Sequence, residues 1–148
     1  MNETFAKAVV TLKAEFMKRN ESTSHIYEII PTLPESFSID KHELEMLHKF
    51  AENNSIYAGS YEMKILDTVC KVYHGDVNNY WLDSIKHDTS YAPFYPVWIL
   101  SAYALALQSK SLGAKQIIDI GSGDGRIAYC AKVTGLQSYG IEIDENLV

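Results

Sequence analysis

Three glycines alternate in Ile117-Ile118-Asp119-Ile120-Gly121-Ser122-Gly123-Asp124-Gly125-Arg126, directly after an apolar run that ends in an acid. A second apolar stretch, Tyr139-Gly140-Ile141-Glu142-Ile143-Asp144, follows and again closes on acids. The pattern predicts a strand, a tight turn, a helix and a second strand. That is the ligand-binding corner of an open α/β sheet. A chain that leaves a parallel strand for a helix must reverse within a few residues. Glycine permits the positive φ this needs and lets a ligand approach bare backbone. The helix that follows presents unpaired N–H groups and the positive end of its dipole. Glycine spacing alone is a weak signal, but here an apolar strand precedes it and an apolar helix follows, so residues 91–148 read as part of an α/β domain.

The identity of the ligand is constrained by charge. A dinucleotide fold wants glycine or alanine at position 126, where helix and strand approach closely, and Arg126 is neither. Asp119 stands two residues before the first glycine, where a pyrophosphate would be repelled. A sulfonium or an α-amino group would be attracted there. Glu142, at the end of the second strand, can accept hydrogen bonds from two vicinal ribose hydroxyls. A nicotinamide oxidoreductase is therefore disfavoured, and an adenosyl sulfonium ligand is favoured.

These motifs resemble those of class I (Rossmann-like) S-adenosylmethionine-dependent methyltransferases. Asp119 to Arg126 resembles their first motif, and Tyr139 to Ile143 their second, acidic one. The form D-I-G-S-G-D-G-R-I followed by G-I-E-I-D is most similar to a group that contains small protein-lysine methyltransferases. The resemblance covers roughly residues 91–148. It implies S-adenosyl-L-methionine as cofactor, with cofactor-binding residues Asp119, Gly121, Ser122, Gly123, Gly125 and Glu142. Asp119 would hold the methionine amino group, the turn would pass beneath the methionine and ribose, and Glu142 would take the ribose hydroxyls. Asp124 is expected to cap the crossover helix, and Arg126 to pair with an acid on a solvated face. The segment 91–96, with Tyr95, occupies the place where the family often closes over its cofactor.

The family also has a larger sheet than the two strands legible here, and an isolated parallel pair would have open edges. The resemblance therefore implies that this chain is the N-terminal part of a longer protein, or that a partner or a swapped dimer completes the sheet. Little methyl transfer is expected from the chain alone, and no catalytic residue is assigned. A second reading stays open: a non-catalytic, methyltransferase-like scaffold whose N-terminal region binds a partner protein through its aromatic residues.

Residues 1–90 read as a helical N-terminal region. Phe5, Val9, Leu12 and Phe16 recur at helical spacing. His25 to Ser38, with Pro31 and Pro34, reads as an irregular connector. Asp40, with Glu43 three residues on, opens a helix carrying Leu44, Leu47, Phe50 and Ala51. A third helix is expected after Ser60, with Met63, Leu66, Val69, Cys70 and Tyr73 on one side and Gly75 as its stop. A short fourth, capped by Asp76, would carry Val77, Tyr80, Trp81 and Ile85. Another helix is expected from Val97 to about Ser111, closed by Gly113.

Composition narrows the rest. With 47% apolar residues the chain has material for a core, so disorder is not expected. The net charge of −6 offers no basic face for a phosphate backbone, which argues against a nucleic-acid substrate. No apolar run is long enough to span a bilayer, and the N-terminus lacks the layout of a signal peptide. The two cysteines, Cys70 and Cys130, suggest small buried residues in a reducing, cytoplasmic setting. The five histidines show no metal-ligand spacing and read as surface or capping groups.

Overall fold

The computed structural model describes residues 3–19, 25–76 and 96–143. Among these it is a mixed α/β fold with four α-helices, a three-stranded antiparallel sheet and a two-stranded parallel sheet. The expected fourth helix, His87 and Tyr95 lie outside the described residues.

The N-terminal region is not all-helical. Helix α1 (Glu3–Arg19) and helix α2 (Lys41–Glu52) form as their patterns predict. Strand β1 (His25–Pro31) replaces the expected connector, and the hairpin β2 (Gly59–Ile65) and β3 (Thr68–Asp76) replaces the expected third helix. The strand order is β1-β3-β2, with β3 central and antiparallel to both neighbours. Pro31 is tolerated because β1 is an edge strand. Met63, Cys70 and Tyr73 fit a helical stripe, but in the hairpin Met63 pairs with Cys70 across the strands and Tyr73 falls on the opposite face of β3. The β-branched and aromatic run of β3 favours the pleated alternative. The reversal lies at Leu66 and Asp67, both with positive φ (48° and 53°), as a two-residue hairpin turn requires. Leucine is a poor residue for that conformation, which is why the turn left so little trace in the sequence. Gly75 does not stop a helix. A Cβ built there would lie 1.9 Å from the carbonyl oxygen of Ile56, so glycine is needed for close passage of two backbones.

Helix α2 begins as expected, with the Asp40 carboxylate accepting the Glu43 N–H at 3.1 Å. The Glu43 carboxylate accepts a short hydrogen bond from the Tyr103 hydroxyl. Helix α3 (Ile99–Ser111) follows, with Gly113 in the left-handed region just past its end. Strand β4 (Gln116–Ile120), helix α4 (Arg126–Val133) and strand β5 (Gln137–Ile141) then form the expected β-α-β unit, with β4 and β5 parallel.

One cluster of buried side chains joins the two regions. Val9, Leu12 and Phe16 of α1 and Ile29 and Ile30 of β1 belong to it. So do Leu100 and Tyr103 of α3 and Cys130 and Ala131 of α4. Aromatic edges mark the seams. Phe16 meets Tyr27 at 5.1 Å and Trp98 at 6.3 Å between ring centroids, and Phe50 of α2 meets Tyr129 of α4 at 4.8 Å. His48 is not a surface group. Its ring bridges the Tyr73 hydroxyl and the Pro31 carbonyl, each at 2.8 Å, and ties α2 to the antiparallel sheet. Among the described residues no helix is long and apolar enough to cross a membrane.

Candidate functional site

The turn between β4 and α4 has the backbone its glycines predict. Gly121, Gly123 and Gly125 all lie in the left-handed region, with φ of 77°, 57° and 80°. A Cβ added at Gly121 or Gly125 would meet nothing within 4 Å. At those two positions glycine serves backbone conformation and an open approach, not packing. The turn is tied to the end of β5 by the N–H groups of Gly121 (2.7 Å) and Ser122 (3.0 Å), both donating to the Ile141 carbonyl. A close approach occurs one strand over, since a Cβ at Gly140 would lie 2.8 Å from Ser122 Oγ. Gly140 thus lets the turn settle onto β5.

Two carboxylates flank this loop. Asp119 is the penultimate residue of β4 and stands opposite Gly140 in the register, while Glu142 immediately follows β5. Both are therefore at the carboxyl ends of adjacent parallel strands, where open α/β sheets bind ligands. The Glu142 carboxylate accepts the Gly123 N–H at 2.6 Å through Oε2 and the Ile143 N–H at 2.8 Å through Oε1. Those bonds orient it toward the turn. Partial burial, and then the nearby charge of Glu142, raise the Asp119 carboxyl above its ordinary value. The pair is thus a site of negative potential that a cation would relieve.

All six residues expected at the site, Asp119, Gly121, Ser122, Gly123, Gly125 and Glu142, come together here. Their roles divide further than the motif indicates. Gly123 is buried and its N–H is committed to Glu142, so it shapes the turn from behind. Gly125, not Asp124, is the N-cap residue of α4, and the Asp124 carboxylate accepts the Arg126 N–H at 3.3 Å.

Arg126 is not on a solvated face. Its side chain is 3% exposed and crosses from α4 into the N-terminal region. Nη2 and Nε bind the Asp124 carboxylate, at 2.5 Å and 3.0 Å for their shortest contacts. Nη1 donates to the Val97 carbonyl at 2.6 Å and to Glu28 Oε2 at 3.3 Å. Burial alone would disfavour this charge, but the hydrogen bonds and charge of Asp124, with Tyr57 and Glu28, hold it more firmly protonated than usual. Glu28, in the middle of β1, is 1% exposed. It accepts the Ile99 N–H at 2.6 Å and the Tyr57 hydroxyl at 3.1 Å. Burial, the largest effect, pushes its carboxyl up to about 7 against the opposing pull of Arg126 and those donors. Asn54, just past α2, donates to Asp124 Oδ2 at 2.8 Å.

Glu28, Asn54 and Tyr57 carry no motif, and sequence reasoning missed them. The one signal was Glu28 itself, a lone acid inside the apolar run Ile26 to Ile30. A buried carboxylate needs a partner, and the partner was Arg126.

Among the described residues no group of three His, Cys, Asp or Glu could hold a metal ion. No protein-family model, curated protein or solved structure matches the chain.

Proposed function

We propose that the glycine turn, Asp119 and Glu142 form the S-adenosylmethionine-binding corner of a class I, Rossmann-like methyltransferase, with protein lysine as the acceptor class. The observation that carries this reading is the pair of carboxylates at the ends of adjacent parallel strands, facing across an open left-handed glycine turn. The donor set fits the cofactor. Asp119 would pair with its α-amino group, and Gly121 and Ser122 would pass beneath the methionine and ribose. The Glu142 carboxylate would accept ribose hydroxyls, because a carboxylate has about four acceptor sites and an N–H bond on each oxygen does not exhaust them. The bound sulfonium would supply an electrophilic methyl group. The chain's own contribution is to orient that ligand and to favour a cation over a polyphosphate.

A second feature of the parallel pair is an apolar face left open to a further covering layer. Ile118, Ile120, Tyr139, Ile141 and Ile143 are 56–80% exposed. Cross-strand pairing of Ile118 with Tyr139, and of Ile120 with Ile141, gathers four of them on one face. Parallel sheets are ordinarily covered on both faces. The two free, buried cysteines suit a reducing, cytoplasmic setting. The alternative of a partner-binding scaffold is less supported, since Tyr73 is buried and Met63 half-buried within the chain.

Calorimetric titration with S-adenosylhomocysteine and with S-adenosylmethionine tests the proposal. Binding is expected, with Asp119→Ala and Glu142→Ala each weakening it by about 10- to 100-fold, the loss of charge-assisted hydrogen bonds. Absence of binding, or binding by both variants as tight as that of the unmodified chain, overturns it.

A further inference from the structure

Asp124 sits between two left-handed glycines of the turn, yet its carboxylate faces away from the candidate ligand and into the seam between the two regions. Four contacts hold it: Asn54 Nδ2 at 2.8 Å, Arg126 Nη2 at 2.5 Å, Arg126 Nε at 3.0 Å and the Arg126 N–H at 3.3 Å. Arg126 is itself held by Glu28 of β1 and by the Val97 carbonyl just before α3. Glu28 in turn takes the Ile99 N–H at the start of α3. A single buried cluster therefore joins β1, the end of α2, the start of α3 and the glycine turn, across sequence separations of 70 to 98 residues.

We propose that Asn54, Glu28 and Arg126 are positioning residues that set the conformation of the glycine turn, and thereby the affinity for an adenosyl ligand that none of them touches. The second half of this inference rests on the cofactor reading above, and the first half does not. The physical reason lies in the backbone. Three left-handed glycines in five residues leave the turn with many accessible conformations, so something outside it must select one. Hydrogen bonds from Gly121 and Ser122 to Ile141 fix its near side. On the far side the Gly123 N–H donates to Glu142 and the Gly125 N–H to the Ser122 carbonyl at 2.9 Å, while Asp124 between them is fixed by groups from the N-terminal region and by Arg126. On this view the N-terminal region is the buttress against which the ligand-binding loop is set.

The test uses the full chain and two variants. Asn54→Asp keeps the oxygen that accepts the Ile56 N–H at 3.1 Å but replaces the donor to Asp124 with a second carboxylate. Glu28→Gln keeps an acceptor for Ile99 and, at pH 8, removes the charge facing Arg126. Amide hydrogen exchange of the unliganded protein is read at Gly123 and Gly125, with Ile29 and Leu47 as core references. Both variants are expected to speed exchange at the two glycines while the references stay protected, which a general loss of stability would not produce. In the ligand arm, S-adenosylhomocysteine affinity should fall about fivefold in each variant, which is roughly 1 kcal/mol. Unchanged exchange at Gly123 and Gly125 overturns the positioning role. Faster exchange with unchanged affinity overturns its link to the ligand. If the unmodified chain binds no adenosyl compound, the cofactor reading fails with the link, and the exchange data decide the positioning role on their own.

Discussion

The two sheets of this molecule are built on opposite terms. The antiparallel sheet β1-β3-β2 buries side chains on both faces, with Ile29, Ile65, Cys70 and Val72 at 0% exposure on one and Ile30 at 0% on the other. The parallel pair β4-β5 buries only the side toward α4 and leaves Ile118 and Ile120 at 56% and 80%. Burial of apolar surface is the main stabilising term, at about 25 cal/mol per Å². The N-terminal region therefore carries most of the stability and the C-terminal unit carries the candidate site. Arg126 and Glu28 are where the two meet. The site is thus placed on the less covered half and held through the better packed one.

That comparison can be broken at several points. The largest effect is expected at the seam. Arg126→Ala leaves two acids in a buried cluster without their counter-charge, and should cost about 3–5 kcal/mol in urea unfolding at pH 8. A loss under 1 kcal/mol would mean the regions do not depend on that contact. The contrast between sheets is sharpened by matched truncations. Ile30→Ala in β1 should cost about 2–5 kcal/mol, whereas Ile120→Ala in β4 should stay within about 0.5 kcal/mol. Equal costs would show that the bare parallel face is covered in solution.

Acidity offers a third test. Glu28 keeps its proton in the folded protein up to about 7, whereas the unfolded chain releases it near 4.5. Between those values the native state binds more protons, so this group's contribution favours folding below pH 4.5 and is lost as pH rises to 7. Its size is about 3 kcal/mol across that window. Denaturant titrations of Glu28→Gln should show a flatter profile between pH 5 and 7 than the unmodified chain. Parallel profiles would remove Glu28 as the source. The smallest effect lies in the hairpin, far from the site. Leu66→Asn should raise stability by about 0.5–1 kcal/mol, because asparagine tolerates the positive φ that leucine resists. A loss there would mean the Leu66 side chain packs usefully despite its exposure.

The β-α-β unit was legible because every signal in it is local. Glycine spacing, the apolar runs and the acids that close them lie within 26 residues, 117 to 142, and each meets its neighbours through the chain itself. Helices α1 and α2 were legible for the same reason, as was the Asp40 cap. The hairpin was not. Met63, Cys70 and Tyr73 satisfy a helical period, and the three-residue step from Cys70 to Tyr73 puts those two on opposite faces of β3, so no alternation marked the strand. The deciding turn at Leu66-Asp67 lacks the glycine that announces such reversals. β1 was hidden by Pro31, which is harmless only because the strand lies at an edge, and an edge is a property of the sheet.

By itself, then, the sequence determined the glycine turn, its two flanking acids and the helix and strands that carry them. These depend on φ preferences and on side chains a few residues apart. Only the tertiary structure decided that Arg126 turns inward, that Glu28 and Asn54 stand behind the turn, and that residues 59–76 are strands. Each of those outcomes depends on which distant groups share a low-dielectric interior, where a charge must find its partner and a backbone its ladder.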